Sequence, residues 1–315
     1  MLSRTAENLY WFSRYVRRAE NLARLVNVGS LLQLDLPRAA RFSWRPLVDT
    51  LGAGAEFDRL CGHAEGAPGD GDVVRFLLVE KDNQLSLHAV VRHARELLRG
   101  VRETLPQDCW VAINDLYLYI EANADRAGSR RYRQEFLDRV IDSCLRVSAL
   151  LSANVSRDIG FQFLRLGTAI EQADMTSRII DAAAAGLIQP RSDEGIEAFR
   201  AMQWMSALQA LAAYQMYRRH LRQRVSAEQA LQFLLKDHQF PRSILFCLAR
   251  IQGILPLMPP RQPVRQALNR TLGAVFDADP VRLTHDAAGP GPFMDQLQIE
   301  MAALDETIRA SYFLG

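Results

Sequence analysis

Two stretches of this sequence share one pattern and decide the fold: LYWFSRYVRRAENLARLV at residues 9–26 and FLRLGTAIEQADMTSRII at residues 163–180. Their apolar residues recur every three to four positions, which is the period of a helix with one buried face. The second stretch follows the first at a constant offset of 154 residues. The sequence therefore predicts two related long helices, one near the start of the chain and one near its middle.

Shorter segments repeat in the same order at an offset of 157 residues. The matched segments are Phe76–Leu78 with Phe233–Leu235, Ser86-Leu87 with Ser243-Ile244, and Phe136–Asp138 with Phe293–Asp295. Amphipathic helices resemble one another in any protein, but the matched order argues against coincidence. We therefore predict an internal duplication, with helical halves at residues 1–152 and 153–315 that pack about a pseudo-twofold axis into one compact unit.

The rest of the chain also has helical periodicity. No proline occurs between Pro106 and Pro190, and dense Gly and Pro punctuation separates the periodic segments. The predicted helices lie near residues 4–33, 70–80, 85–104, 106–125, 130–152, 158–185, 192–222, 226–237, 241–257, 262–277 and 291–312. This pattern predicts an all-α fold, a large helical bundle with short connections.

Composition excludes several classes of protein. The 315 residues are 49% hydrophobic, which excludes wholesale disorder. A net charge of +2 gives no strong field for nucleic acid or an anionic membrane surface. No apolar run is long enough to span a bilayer, and the first residues lack the apolar core of a signal peptide. We therefore expect a cytoplasmic protein with no nucleic-acid or membrane partner.

The metal-ligating residue types are scattered. The four cysteines form no CxxC pair, so we predict small apolar core residues in a reducing compartment. The six histidines match no zinc-site spacing, so we expect no metal. A dyad of His88 or His93 with Glu96 is conceivable, but a solvated charged face explains these residues better. An arginine cluster near Tyr132 is diluted by acidic residues, which argues against a nucleic-acid interface.

The best functional candidates are charged residues at the margins of the two long helices. Glu20 precedes Arg24 by four residues, and Asp174 precedes Arg178 by the same spacing, the favourable order for ion pairs on a helix. The candidate binding or inter-half ion-pair residues are Arg14, Arg17, Arg18, Glu20, Arg24, Glu171, Asp174 and Arg178. Three interpretations remain open: ion pairs that set the register between the halves, a polar pocket for a carboxylate or phosphate, and a protein-docking face.

At these residues the chain resembles the bacterial Alpha-E family, a helical family with a recurring Glu-Arg motif. The blocks that carry the resemblance are Arg14–Leu25, Phe163–Arg178, Phe233–Leu235 with Phe240–Ser243, and His93–Arg102. Each block is weak alone, and together they are specific. The resemblance runs nearly end to end.

The departures from the family pattern fall on the motif itself. Arg17-Arg18 stands where the family has Glu then Arg, and Glu171-Gln172 keeps the acid but has lost the arginine. Thr168 replaces an arginine, and Ile159 replaces an acid. The chain is thus similar to a divergent member with degenerate motifs. Of the two explanations, lost chemistry or a packing bridge, we prefer a bridge in which Arg17 of one half pairs with Glu171 of the other.

The resemblance also implies a functional context. The resemblance implies that the chain works as a partner of circularly permuted ATP-grasp ligases. Transglutaminase-like peptidases accompany the same systems. ATP-grasp enzymes activate a carboxylate as an acyl phosphate that an amine then attacks. The resemblance therefore implies a role in making a peptide or amide-linked product, with ATP and Mg²⁺ on the partner ligase and no cofactor in this chain.

Two functions from different classes follow. The first is a helical accessory subunit, non-catalytic or co-catalytic, that docks on the amidoligase and helps hold its acceptor or product. Its candidate docking residues are Arg157, Asp158, Phe161 and Arg165. The second is an enzyme in its own right, which uses an Arg/Glu pocket for acyl or amide transfer. A self-associating helical scaffold, and therefore a homo-oligomer, is a third possibility. The sequence identifies no catalytic residue.

Overall fold

The structure is a computed structural model that describes residues 3–37, 40–62, 69–190 and 196–313. Helices account for most of these residues, which confirms the predicted all-α fold class. The chain divides into two compact units. Unit 1 comprises Met1–Ser30 and Leu51–Thr168, and unit 2 comprises Leu31–Thr50 and Ala169–Gly315. These limits differ from the predicted halves at 1–152 and 153–315, and the duplication itself stays a prediction.

The elements of the described chain, in order, begin with the longest helix. They are α1 (Ser3–Asp35), β1 (Ala40–Phe42), α2 (Arg45–Thr50), α3 (Gly54–Cys61), α4 (Asp70–Leu78), α5 (Leu87–Arg99), α6 (Gln107–Ala122), α7 (Ala124–Gly128), α8 (Arg133–Asn154), α9 (Ile159–Ala184), β2 (Ile188–Pro190), α10 (Ile196–Ala210), α11 (Tyr214–His220), α12 (Ala227–Lys236), α13 (Ile244–Ile254), α14 (Gln262–Asp277), α15 (Pro280–His285) and α16 (Gly291–Tyr312). Short 3₁₀ turns at Arg102–Thr104 and Leu255–Leu257 follow α5 and α13.

Unit 1 is built around α6. This helix packs between α5 and α8, and α4 packs against α5 and α7. Side chains such as Val90, Ile113 and Phe136 are buried and form the core of the unit. Their helical spacing places one apolar stripe of each helix toward the others, which is why the periodicity in the sequence predicts these helices correctly.

Unit 2 repeats that arrangement around α14. This helix packs between α13 and α16, and α12 packs against α13 and α15. A two-stranded antiparallel ribbon joins β1 to β2, with Arg41 opposite Gln189. The sequence analysis did not predict this ribbon, because three residues are too few to show a period of two.

The helices α4 to α8 and α12 to α16 follow the same order, and four packed pairs correspond. They are α4–α5, α5–α6, α6–α8 and α4–α7 in unit 1, and α12–α13, α13–α14, α14–α16 and α12–α15 in unit 2. Corresponding turns are also capped alike. The hydroxyl of Ser86 accepts a hydrogen bond from Ala89 N at the start of α5, and the hydroxyl of Ser243 accepts one from Phe246 N at the start of α13. Serine is a favoured N-cap because its oxygen satisfies a backbone N–H that lacks a partner in the first turn. The duplication itself stays a prediction.

One predicted helix is wrong. The segment 192–222 does not form a single helix: within the described residues, α10 ends at Ala210 and α11 begins at Tyr214. Ala212 has a φ of 50°, and Ala213 N donates to Leu208 O at 2.7 Å. This left-handed helix stop normally uses glycine. Because alanine occupies the position, the sequence contains no visible stop signal.

At Gly167, α9 lies close to the backbone of α1 within unit 1. A Cβ at this position would overlap the backbone carbonyl oxygen of Tyr10 and the hydroxyl of Ser13 on α1. The first part of α9 therefore lies directly against the backbone of α1. Only glycine permits such a contact between helix backbones.

The cysteines are free thiols, as the sequence predicted for a core role. Cys109, Cys144 and Cys247 are buried, whereas Cys61 is only half-buried and is not a core residue. Burial raises the pKa of the Cys109 thiol to about 11, so this group stays protonated at neutral pH. Among the described helices, none is both long enough and apolar enough to cross a membrane.

Candidate functional site

The acid–arginine pair of α1 is a closed cluster within unit 1. Glu20 is buried, with 1% of its side chain exposed. Arg17 Nη1 lies 2.6 Å from Glu20 Oε2, and Arg24 Nε lies 2.9 Å from Glu20 Oε1. One turn on each side of the acid thus supplies an arginine, and both carboxylate oxygens are occupied. A carboxylate held in this way fixes side chains on its own helix and presents no open face to a substrate.

Arg14 and Arg18 point to a different environment on the same helix. The guanidinium of Arg14 lies 4.5 Å from the ring centre of Trp11, and that of Arg18 lies 5.8 Å from the ring of Tyr15. Tyr15 in turn stacks on His93 of α5, with ring centres 5.4 Å apart. Cation–π contacts of this kind hold a guanidinium group against an aromatic ring. The five predicted α1 residues therefore divide between the Glu20 ion cluster and two arginines that contact aromatic rings, of which Arg14 is buried.

The equivalent pair of α9 is more open and has fewer arginines. Arg178 Nε lies 2.9 Å from Asp174 Oδ2, with 26% and 15% of the side chains exposed. Arg178 Nη1 also donates to Thr50 O at 2.7 Å, which ties α9 to the end of α2 within unit 2. Glu171 is fully buried one turn before Asp174. Both predicted i,i+4 pairs are therefore formed, and Arg178 has a structural second partner.

Two blocks singled out in the sequence meet in unit 2. Gln172 Nε2 donates to Thr176 Oγ1 at 3.2 Å, and Thr176 Oγ1 donates to Arg242 O at 2.8 Å. Thr176 is fully buried. Position 172, where the expected arginine is absent, thus takes part in a neutral hydrogen-bond chain that fixes the turn before α13.

The predicted docking residues form a real cluster at the start of α9. The ring of Phe161 lies between two guanidinium groups, 4.0 Å from Arg157 and 5.9 Å from Arg165. Asp158 Oδ1 accepts a hydrogen bond from Phe161 N at 3.1 Å and so caps the helix. We call these four residues the α9 arginine cluster. Phe161 is half-buried and Arg157 is exposed, so the cluster presents a cationic, aromatic surface.

The histidine dyad considered from the sequence is not assembled. His93 contacts Gln84 Oε1 at 3.3 Å, and Glu96 pairs with Arg95 at 2.8 Å. His88 instead hydrogen-bonds to Glu121, which also accepts from Tyr117 OH at 3.1 Å. These contacts hold the pKa of Glu121 below its usual value, with His88 as the largest cause.

Sequence reasoning missed the partnership of His88 with Glu121 because 33 residues separate the two side chains. A helical period of three to four on each helix, read together, could have placed both on facing sides. Only 4% of the His88 side chain is exposed, so Glu121 rather than His88 faces the surface. A carboxylate with several donors and a lowered pKa is a poor general base. The arrangement therefore fits a structural role better than a catalytic one.

The charged candidates thus lie in two sets. Arg14, Arg17, Arg18, Glu20 and Arg24 lie on α1 in unit 1, and Glu171, Asp174 and Arg178 lie on α9 in unit 2. The ion pairs described above form within each helix. Pairing of Arg17 with Glu171, and a shared Arg/Glu pocket, both stay predictions. The described arrangement favours structural ion pairs, with cation–aromatic surfaces beside them.

Comparison with known proteins matches the chain to a protein family but to no solved structure. Uncharacterised proteins of Mycobacterium bovis and Mycobacterium tuberculosis are 23% identical over 279 residues, which is 81% of this chain. The chain spans about 30% of the length of these curated relatives. No solved structure matches it significantly. The family described as "a predicted alpha-helical domain with a conserved ER motif" matches residues 1–313, so the chain belongs to the Alpha-E family.

Proposed function

We propose that this protein is a helical accessory subunit of a circularly permuted ATP-grasp amidoligase system that makes a peptide or amide-linked product. In this proposal it docks on the ligase in the cytoplasm and helps hold the acceptor or product. The ligase binds ATP and Mg²⁺ and performs the chemistry. A transglutaminase-like peptidase is a second candidate partner.

The observation that carries the non-catalytic role is the closed state of the Glu20 cluster. A substrate would have to displace Arg17 or Arg24 to reach the carboxylate, and a buried acid that loses one partner is strongly destabilised. The Glu20 cluster, which was the best candidate for a reactive site in the sequence, therefore stabilises α1. This supports a subunit that works through its surface.

The length of the relatives supports the proposal that this helical region acts together with another polypeptide. Because the matched region is about 30% of the mycobacterial proteins, it is joined there to a much longer stretch of chain. In these relatives the helical region therefore occurs together with further polypeptide, which supports a role beside another protein or domain.

The α9 arginine cluster is the best candidate for the docking surface. It combines an aromatic side chain with exposed arginine, the two residue types most enriched at the centres of protein interfaces. Two guanidinium groups around one ring fit a partner surface with carboxylates around an apolar contact. We therefore place the ligase contact at Arg157, Phe161 and Arg165.

The experiment is a co-purification of the full chain with the ATP-grasp ligase of its own genome, followed by mass spectrometry of the native complex. Phe161→Ala combined with Arg157→Gln is expected to abolish a fixed-ratio complex while leaving the helical circular dichroism signal intact. Phe276→Ala is the matched control, since Phe276 is an exposed phenylalanine on α14 of unit 2. Failure of the wild-type chain to bind any ATP-grasp protein, with both proteins folded, would contradict docking.

The alternative is an enzyme that uses an Arg/Glu pocket for acyl or amide transfer. The variants Glu171→Gln and Arg178→Met distinguish this enzyme from an accessory subunit. If the protein is a subunit, ligase activity falls together with stability or complex formation. If it is an enzyme, turnover falls while the fold and the complex survive. Sedimentation of the purified chain tests the homo-oligomer separately, because self-association requires neither a ligase nor a substrate.

A further inference from the structure

A half-open cavity of about 380 Å³ lies within unit 2, among the end of α9, β2, α10 and the loop after α15. Buried Phe199 and Trp204 of α10 form an aromatic wall. The short side chains of Ala183 and Ala184 on α9 also line the cavity and leave room. None of these residues belongs to the charged sets described above. The cavity is at the small end of the volume range of ligand sites.

Besides the indole of Trp204, four polar side chains line this cavity: Arg200, Gln203, Asp286 and Thr284. The hydroxyl of Thr284 donates to Pro280 O at 2.9 Å, and the other three side chains each offer a different chemistry. Arg200 supplies an exposed guanidinium on α10. Asp286 supplies a carboxylate whose Oδ1 accepts from Ala288 N at 3.2 Å, which fixes its orientation. Gln203 is more than nine-tenths buried, and its Nε2 donates to Ile188 O at 3.1 Å. That bond orients the amide and leaves Oε1 as an acceptor for an N–H group.

We infer that this cavity binds a free α-amino acid with an apolar side chain. The ligand carboxylate pairs with Arg200, a charge-assisted contact that guanidinium geometry favours. The ligand ammonium pairs with Asp286 and Gln203 Oε1. The aromatic wall of Phe199 and Trp204 receives the apolar side chain.

Charge balance selects a zwitterion over other small ligands. One arginine and one aspartate line the cavity, so a ligand with no net charge and both signs satisfies them together. A phosphate or a dicarboxylate would leave Asp286 facing a like charge, which costs binding energy. A purely apolar ligand would leave Arg200 and Asp286 without a contact. The size also favours a single amino acid over a nucleotide.

This inference goes beyond the proposed docking role and does not rest on it. The isolated chain binds the amino acid without any ligase present. Failure to bind an amino acid therefore leaves docking untouched, and failure to dock leaves the cavity untouched. If both hold, the cavity supplies a place where an amine acceptor is held.

The test is calorimetric titration of the full chain with L-phenylalanine and L-leucine, each beside two blocked analogues. N-Acetyl-L-phenylalanine lacks the ammonium charge, and L-phenylalaninamide lacks the carboxylate. Both analogues are expected to bind at least about fivefold more weakly than the free amino acid. Equal binding of the blocked analogues, or no binding of either free amino acid at millimolar concentration, would overturn the inference.

Two variants test which side chain binds each charged group of the ligand. Arg200→Gln and Asp286→Asn are each expected to weaken the free amino acid about five- to tenfold. Arg200→Gln leaves the amide analogue unchanged, and Asp286→Asn leaves the N-acetyl analogue unchanged. Arg265→Gln and Asp277→Asn, exposed on α14 and away from the cavity lining, are the matched controls and retain full affinity. Affinity that is the same in all four variants would place the amino acid elsewhere.

Discussion

The two units differ at one pair of corresponding polar positions. The pair lies on α1 and α8 in unit 1, and on α9 and α16 in unit 2. In unit 1, Asn27 Nδ2 donates to Asp138 Oδ1 at 3.0 Å. The positions 154 and 157 residues later, in unit 2, are Asp181 and Asp295. There the partial burial of Asp181, with the charge of Asp295, raises the pKa of Asp181 to about 6. An amide and a carboxylate form a hydrogen bond in unit 1, and two carboxylates stand at the corresponding positions in unit 2.

The acid–arginine pairs show the same kind of difference. Glu20 in unit 1 is buried between two arginines, whereas Asp174 in unit 2 is partly exposed beside Arg178. Arg17 corresponds in position to Glu171, so the charge at that place is reversed. If the halves arose by duplication, as we propose, apolar spacing has been kept while polar contacts changed one by one. Function is then more easily sought in these polar differences than in the shared core.

The largest expected effect comes from Gly167, whose counterpart 154 residues earlier is Ser13. Gly167→Ala places a methyl group against the carbonyl oxygen of Tyr10, and the two helix backbones must separate. We expect a loss of about 3 kcal/mol or more in the free energy of unfolding. Urea denaturation followed by circular dichroism measures it.

Gly253→Ala is the control for that measurement. Gly253 is also helical, on α13, and a Cβ there meets no atom within 4 Å. Alanine is the better helix former, so this change is expected to stabilise the protein by about 0.5–1 kcal/mol. If both variants had the same stability, α1 and α9 would not approach as closely as the structure describes.

The second effect compares the contributions of Glu20 and Asp174 to the free energy of unfolding. Glu20→Gln is expected to cost about 2–3 kcal/mol, because it removes the charge that balances two partly buried arginines. Asp174→Asn is expected to cost less than about 1 kcal/mol, because that pair is partly solvated. Thermal unfolding in low and high salt compares them. Salt should shrink the Asp174 effect and leave the Glu20 effect nearly unchanged; the reverse order would contradict the burial argument.

The third effect tests the carboxylate pair through pH. Because the pKa of folded Asp181 is raised to about 6 from 3.8, wild-type stability falls as pH rises between these values. Asp181→Asn removes this titration and recreates the amide–carboxylate pair of unit 1. We expect a gain of about 1 kcal/mol at pH 8 and almost none at pH 4, after allowance for partial solvation.

The reciprocal change sharpens that test. Asn27→Asp replaces the hydrogen bond to Asp138 with two like charges, and we expect it to cost about 0.5 kcal/mol at pH 8 and less at pH 4. Denaturation curves at both pH values measure each variant beside wild type. A gain from Asp181→Asn that did not change with pH would rule out carboxylate repulsion as its cause.

The sequence predicted the helices well because each has a long apolar stripe, as in α6 and α8, where periodicity is strong. It missed what periodicity does not encode. Ala212 ends α10 in a left-handed conformation without a glycine, and the short ribbon of β1 and β2 has too few residues to show alternation. Helix ends and short strands depend on single residues and on contacts distant in sequence.

The candidate site was predictable in its local part only. The pairs Glu20–Arg24 and Asp174–Arg178 follow from helical spacing, and both are formed. The contact of His88 with Glu121 depends on how α5 packs against α6, which the helical period of one segment alone does not supply. The cavity beside Trp204 depends on elements that the sequence analysis either joined into one helix or did not predict, namely α10 and α15.

The last comparison concerns the two capping serines, Ser86 and Ser243. Each hydroxyl accepts from a backbone N–H in the first turn, so Ser86→Ala and Ser243→Ala should each cost about 1 kcal/mol. Ser243 also donates its hydroxyl to the carbonyl of Asp237, whereas Asn83 supplies the inter-turn bond in unit 1 by donating to Phe76 O. Ser243→Ala also removes the donor to the half-buried Asp237 carbonyl and should cost about 0.5–1 kcal/mol more. Equal losses in urea denaturation would show that the Asp237 contact adds nothing, and that the two turns are energetically equivalent despite their different polar residues.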